Sequence, residues 1–299
     1  MLFSEGSRIT RITTLATLMA HCAWAGFDAS VDGFEVAGGY NPIPNQTVVG
    51  RPAPGTDGVW NGPWQAEGGA NPAIFVSTDE RALSGTRSLR IDAPPDGTTR
   101  EISRVLDPGL NIGANPIHRV ETWIYVPSSS IFFDAGRTEF EAYMGGDPSG
   151  KPAAGIRNGY THLHGNNPPG NQNVWYVWDS TYYRETQIPV KTNTWVRLTM
   201  ELDTTHNRYK AFIDGVQAID EANPANIFNF GSGNGTNLTS ISLTASTAAG
   251  SPTNFGVFYF DSMSITPNVP EVSSWLGVIG MIGAGGLPMW LARRRRARR

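Results

Sequence analysis

The sequence has little cysteine, little lysine and leucine, and no stretch of useful length with helical periodicity before residue 269. Cys22 is the single cysteine in 299 residues, so the chain forms no internal disulfide bond and holds no cysteine-based metal cluster. What it has instead is turn residues, 34 glycines and 21 prolines. This composition predicts short strands joined by many turns.

The first 25 residues predict a signal peptide. Two arginines precede a modest apolar stretch at 12–20, and Ala23 and Ala25 form a small-x-small cleavage pattern. We expect cleavage after Ala25, which would remove Cys22 and with it any thiol chemistry. A lipoprotein signal is not favoured, because the bulky His21 precedes the cysteine.

The chain ends in a three-part tail at residues 269–299. Val269, Pro270 and Glu271 come first, and an apolar run of 18 residues without an ionisable group follows at 275–292. The run is close to the roughly 20 residues that a membrane-spanning helix needs. Six arginines close the chain: Arg293, Arg294, Arg295, Arg296, Arg298 and Arg299. Because positive charge stays on the cytoplasmic side, we expect the body of the protein outside the inner membrane.

This tail resembles the PEP-CTERM sorting signal of Gram-negative bacteria, in which a Pro-Glu motif precedes a hydrophobic helix and a basic cluster. The resemblance implies that an exosortase-like partner cuts near the motif and removes the helix. The third residue of the motif is usually proline, whereas this chain has Val272. The alternative is an ordinary membrane anchor. Either way, the expected location is the cell surface or the extracellular space, with transient or permanent anchoring.

The formal charge of −3 conceals an acidic body. The two ends carry eight of the 23 basic and two of the 26 acidic side chains, so residues 26–270 keep 15 basic and 24 acidic groups. Nucleic acid is excluded as a partner, since its binding depends on basic residues that neutralise phosphates. An acidic body suits an extracellular domain, which we place at 26–268 with a loop-rich part at 26–82.

Alternating apolar and polar residues predict several antiparallel strands. In 119–126 one face carries Val120, Thr122, Ile124 and Val126, and the other carries Trp123 and Tyr125. The eight residues from Trp195 to Leu202 alternate strictly. A turn at 203–207, a returning strand at 208–213 and Asp214-Gly215 complete a hairpin pattern. Strands are also predicted around 241–244 and 257–265. The expected fold is an all-β, antiparallel sandwich or jelly roll, followed by the C-terminal hydrophobic helix.

The segment 193–216 resembles the concanavalin A-like lectin/glucanase superfamily, including laminin-G-like domains. In that family a tryptophan opens one strand and the next strand closes on an Asp-Gly hairpin, as Trp195 and Asp214-Gly215 do here. The last strand, 258–265, is similar to that of many exported carbohydrate-binding sandwiches. The resemblance implies an architecture rather than one function, because this fold serves lectins, hydrolases, lyases and adhesion modules. A galactose-binding-like topology is the alternative.

A cluster of aromatic residues supplies the candidate carbohydrate-binding site. Sugar rings stack on aromatic planes, and their hydroxyls need polar partners. The candidates are Trp175, Tyr176, Trp178, Tyr182 and Tyr183, together with His162 and His164 of a preceding polar loop. On a strand, Trp175 would point to one face and Tyr176 and Trp178 to the other, so they cannot all contact one ligand.

No complete active site is identified. The Glu-x-Asp-x-x-Glu motif of retaining glucanases is absent, and we interpret Glu139 and Glu141 as pointing to opposite faces of a strand. Segments around Arg137, Gln187 and Tyr209 occur in the order of three alginate-lyase motifs, but Pro189 stands where that family has its histidine. Nucleophile-elbow and phosphate-loop motifs are also absent.

Calcium is the one cofactor that the sequence suggests. Exported sandwiches often join their first and last strands with Ca²⁺ held by carboxylates and carbonyls. Asp32, Glu35 and Asp261 lie on the predicted first and last strands. The sequence therefore favours an exported, non-enzymatic protein that binds extracellular polysaccharide. A polysaccharide lyase or glycoside hydrolase, and an adhesion module with a protein partner, are the alternatives.

Overall fold

The computed structural model describes residues 30–32, 34, 46–50, 63–67, 75–93, 99–106, 117–130, 136–144, 151–160, 173–219, 225–231, 238–247 and 256–266. The signal peptide predicted at 1–25, the predicted sorting motif, the helix predicted at 275–292 and the terminal arginines lie outside these ranges. Within them the chain forms β-strands and one short 3-10 turn at Ser128–Ser130. No helix in these ranges is long and apolar enough to cross a membrane.

Ten strands form the first sheet. Their bounds are β1 Ser30–Asp32, β2 Gln46–Thr47, β4 Phe75–Thr78, β5 Ser88–Ala93, β7 Ile117–Tyr125, β12 Trp195–Asp203, β13 Arg208–Ile213, β14 Val216–Gln217, β15 Phe228–Asn229 and β17 Gly256–Thr266. The order across the sheet is β14-β13-β12-β7-β17-β5-β4-β2, with β1 beside β17 and β15 beside β13. All of these pairings are antiparallel.

Seven strands form the second sheet, which carries the candidate site. Their bounds are β3 Gln65–Ala66, β6 Thr99–Val105, β8 Gly136–Met144, β9 Ala154–Tyr160, β10 Asn173–Asp179, β11 Tyr182–Pro189 and β16 Leu238–Thr247. Their order is β11-β10-β9-β8-β16-β6-β3, again antiparallel throughout. Two antiparallel sheets confirm the predicted all-β sandwich of the jelly-roll type.

The core between the sheets follows from the alternation along each strand. In β12 the apolar set Val196, Leu198, Met200 and Leu202 is at most 1% exposed, as the sequence pattern predicts. From the second sheet, β8, β9 and β16 contribute Phe140, Ile156, Ile241 and Leu243, which are fully buried in the same core. One face of each sheet is therefore apolar and packs on the other sheet, and the second face is left for polar groups.

Tyr209 of β13 ties the two sheets together below the candidate site. Its side chain is 1% exposed. Its phenol donates to the carbonyl oxygen of Gly155 at 3.2 Å and to that of Trp178, and it accepts the amide of Gly155 at 3.3 Å. Because these partners lie on β9 and β10, the first sheet holds the backbone of the second sheet in place.

Candidate carbohydrate site on the second sheet

The strand β10 separates the predicted aromatic cluster into two groups. Trp175 is 0% exposed and belongs to the core, together with Val177. Tyr176 and Trp178 point to the outer face of the second sheet, and each keeps 8% of its surface exposed. The predicted alternation is confirmed, and Trp175 is buried away from any surface that a glycan could reach.

The two tyrosines of β11 also separate. Tyr183 pairs with Trp178 across the ladder and lies on the outer face, where their rings meet edge to face at 5.1 Å. Tyr182, which is 52% exposed, points to the opposite side of its strand and lies under the guanidinium of Arg184 at 4.6 Å. Of the five aromatic candidates, the structure therefore brings Tyr176, Trp178 and Tyr183 together. His162 and His164 lie outside the described residues.

The prediction that Glu139 and Glu141 point to opposite faces is wrong. Successive side chains of a strand alternate, so residues two apart share a face. Phe140 between them is 0% exposed in the core, and the two glutamates lie on the outer face of the second sheet. We call this surface the acidic–aromatic face. Its residues are Tyr176, Trp178 and Tyr183, Arg157, the glutamates Glu67, Glu101, Glu139, Glu141 and Glu185, and Tyr143, Ser242 and Thr244.

Glu141 occupies the centre of the acidic–aromatic face and is 5% exposed. One carboxylate oxygen accepts the hydroxyl of Tyr183 at 2.7 Å. The other accepts the hydroxyls of Tyr143 at 2.9 Å and Ser242 at 3.4 Å. The side chains that hold Glu141 come from β11, β8 and β16, so only the assembled sheet creates this site.

Burial and, after it, the neighbouring Glu139 together raise the pKa of Glu141 to about 8, against the opposing effect of the two tyrosine donors. Burial likewise raises the pKa of Glu101, with Glu67 and Glu139 as the contributing charges. Near neutral pH the Glu141 carboxyl group therefore stays largely protonated. Burial and the adjacent Glu141 also hold the pKa of Tyr183 well above its usual value, so its phenol remains a donor.

A glycine on β9 makes the contact between Tyr183 and Glu141 possible. A Cβ atom at Gly155 would lie 2.8 Å from the hydroxyl of Tyr183 and 3.3 Å from Cγ of Glu141. The first distance is shorter than real Cβ contacts, so any side chain here would displace the tyrosine. The absence of a side chain thus leaves the space through which the phenol crosses β9 to reach the carboxyl group.

Arg157 is the basic residue among the side chains described on this face. Its guanidinium lies 3.6 Å from the carboxylate of Glu139. The same group covers the ring of Tyr183 at 3.9 Å and that of Tyr176 at 5.5 Å. Cation–π contacts of this kind fix the position of an arginine while leaving its donors for other partners. Arg157 therefore links the aromatic side of the face to its acidic side.

The lyase arrangement is not assembled. Tyr209 donates to backbone carbonyls inside the core, whereas Gln187 is exposed on β11. The first segment begins at Arg137, whose side chain lies outside the described residues. A tyrosine buried in the core cannot act on a polymer bound to the outer face, so the three segments do not form one site.

Asp261, the described member of the predicted calcium site, holds a loop in place. Its carboxylate accepts backbone amides from Leu83 at 2.8 Å, Ser84 at 3.3 Å and Ser262 at 2.6 Å. Amide donors supply the partial positive charge that a cation would supply. Glu35 and the side chain of Asp32 lie outside the described residues. Among the described ones, no group of three acidic, histidine or cysteine side chains is arranged to hold a metal ion. Calcium binding near Asp32 and Glu35 stays a prediction.

No protein-family model matches the sequence, and none of the curated proteins matches it. Solved structures are similar at low identity. A glycoside hydrolase family 131 β-glucanase catalytic domain from Podospora anserina has 10% identity and a TM-score of 0.45, covering 70% of this chain and 87% of that domain. A CBM22-1 xylan-binding domain from Paenibacillus barcinonensis has 12% identity and a TM-score of 0.35, covering 82% and 97%. A sialidase has 11% identity and a TM-score of 0.42, and the match spans 68% of this chain but 17% of the sialidase. At these values the function must be argued from the acidic–aromatic face itself.

Proposed function

We propose that this protein binds a polysaccharide on the acidic–aromatic face of its second sheet. The observation that carries the proposal is the position of Tyr176, Trp178 and Tyr183, which lie side by side next to carboxyl groups and one arginine. Aromatic rings match the C–H faces of sugars, and carboxyl and guanidinium groups match their hydroxyls. A site that combines aromatic surface with a few placed polar groups is typical of ligand binding.

Neighbouring tyrosines on opposite sides of β11 provide a matched test. Replacing Tyr183 by alanine removes an aromatic contact and a donor to Glu141. We expect affinity for the bound glycan to fall about fivefold or more, because truncating a central aromatic contact costs more than about 1 kcal/mol. Tyr182→Ala should leave affinity unchanged, although Tyr182 is the more exposed of the two. A glycan array followed by titration calorimetry measures both. Loss of binding in Tyr182→Ala but not in Tyr183→Ala would contradict the proposed surface.

Glycoside hydrolysis is the second candidate, and the pair Glu139 and Glu141 favours it. Hydrolases need one carboxyl group that stays protonated to donate to the leaving oxygen, and a second carboxylate that acts as nucleophile or base. Glu141, with its pKa raised to about 8, fits the first role, and Glu139 on the same face fits the second. Reducing ends should then accumulate when the protein is incubated with its glycan, and Glu139→Gln should abolish their release. If a glycan binds but no reducing ends are released from it, the protein binds the glycan without hydrolysing it.

The proposal includes export, because extracellular polysaccharide is reached only from outside the membrane. This part of the proposal relies on the signal peptide predicted at 1–25 and on the sorting signal predicted at 269–299. The expected partner is an exosortase-like enzyme that recognises the sorting signal. Intact mass of the protein recovered from its native host tests both. A mass that lacks residues 1–25 and the region after Glu271 supports sorting, whereas a full-length C-terminus would indicate a membrane anchor.

A further inference from the structure

A single row of side chains crosses the whole second sheet on its outer face. The ladder partners are Glu101 beside Thr244, Thr244 beside Glu139, Glu139 beside Arg157, Arg157 beside Tyr176, and Tyr176 beside Glu185. Glu67 extends the row beyond Glu101, to whose carbonyl it donates its amide at 3.0 Å. With strands about 4.8 Å apart, the row is roughly 29 Å long. It is long enough to contact several sugar units.

The described charges of this row are unbalanced. Four glutamates, Glu67, Glu101, Glu139 and Glu185, share the row with one arginine, and Glu141 adds a fifth carboxyl group beside it. Arg157 lies at the aromatic end, 3.6 Å from Glu139. The charges that act on Glu101 include its carboxylate neighbours Glu67 and Glu139. An anionic polymer would meet repulsion here, whereas a polymer that carries positive charge would be attracted.

A hydroxyl without a partner lies within the acidic part of the row. Thr244 is 2% exposed, and its Oγ1 makes no hydrogen bond to the residues that the structure describes. It stands on β16 between Glu101 of β6 and Glu139 of β8. A buried hydroxyl is normally hydrogen-bonded. The unpaired Oγ1 of Thr244 therefore indicates a position at which a donor group of a ligand would supply the missing hydrogen bond.

Two carboxylates and one hydroxyl acceptor match the three N–H donors of an ammonium group. We propose that the acidic–aromatic face selects glycans that carry free amino groups, with a ligand ammonium bound between Glu101, Thr244 and Glu139. This inference rests on the proposed glycan binding and names its ligand class. The amino group supplies charge to the acidic side, while the sugar rings contact the aromatic side.

Glucosamine oligomers and N-acetylglucosamine oligomers of equal length form a matched pair of probes, because they differ only in the free amine. By titration calorimetry on the full chain, at a pH at which the amines are protonated, the amino oligomer should bind about tenfold tighter, as expected for one charge-assisted contact. Glu101→Gln should remove most of this preference, because it should weaken binding of the amino oligomer far more than binding of the acetylated oligomer. Thr244→Val, which removes the hydroxyl at nearly constant volume, should do the same.

Glu201→Gln is the control, because Glu201 lies on the outer face of the first sheet, paired with Arg119. It should keep the preference for the amino oligomer. Equal affinity for both oligomers would overturn the ligand class and leave glycan binding intact. A preference that survives in both Glu101→Gln and Thr244→Val, or that falls equally in Glu201→Gln, would overturn the proposed position. Absence of binding to any glycan would instead refute the proposed function.

Discussion

The free energy of unfolding should fall as the pH rises from about 4.5 to about 8, and Glu141→Gln should remove the part of that fall that Glu141 contributes. The pKa of Glu141 is raised from 4.5 to about 8 in the folded protein, by burial and then by Glu139. Between these values the folded state binds a proton that the unfolded state has released. Stability from this group is therefore full below pH 4.5 and is lost as the pH rises through about 8.

The size of the effect follows from proton linkage. One proton bound only by the folded state changes stability by about 1.4 kcal/mol per pH unit at most. Glutamine keeps the size of the side chain and one acceptor for the hydroxyls of Tyr143 and Tyr183, but it cannot titrate. Urea unfolding at a series of pH values measures the difference between the variant and the natural protein. We expect the variant to be relatively more stable at higher pH.

Two further variants test whether the effect belongs to this site. Glu201→Gln changes a glutamate on the other sheet and should leave the pH dependence unaltered. Glu139→Gln removes the neighbouring charge that raises the pKa of Glu141, and it should reduce the slope without abolishing it. Parallel curves for Glu141→Gln and the natural protein would show that Glu141 does not carry the proton.

The fold was predictable because alternation is a local property of the chain. Strict alternation in β12 and β7 indicates the buried face of each strand, and the pairing of Val196 with Ile124 places two such faces together. The Asp-Gly turn after β13 also forms as the sequence predicts, with Asp214 at φ 53° and Gly215 at φ 81°. These positive angles are the reason that the turn favours this pair of residues.

The candidate site was only partly predictable, because it depends on the order of strands rather than on any one of them. Glu101 and Glu139 come from β6 and β8, and the distant strand β16 lies between them. No local pattern gives that arrangement. The side chains of Glu139, Glu141 and Tyr143 were nevertheless open to prediction. They occupy alternate positions around the apolar Phe140 and Ala142, which places all three on one face.

The second large effect is expected from replacing Trp175, which the sequence suggests as a carbohydrate-binding residue. Trp175→Ala should lower the free energy of unfolding by about 3–5 kcal/mol, the range for large aromatic side chains removed from a core. Trp175 is 0% exposed and packs in the cluster that joins the sheets. Its indole nitrogen has no hydrogen-bond partner among the described residues, so the loss should come from packing and the cavity left behind. Urea unfolding followed by circular dichroism measures it.

Comparison with a substitution nearby separates packing from binding. Tyr182→Ala removes a side chain that is 52% exposed, and it should change stability by less than about 0.5 kcal/mol. Trp175→Phe keeps part of the ring volume and should be less harmful than alanine. If Trp175→Ala kept full stability but lost affinity for a glycan, the side chain would have to contact the ligand, and the face assigned to β10 would be wrong. If it lost stability while the folded fraction still bound glycan, the binding surface would be the outer face alone, as the alternation of β10 requires.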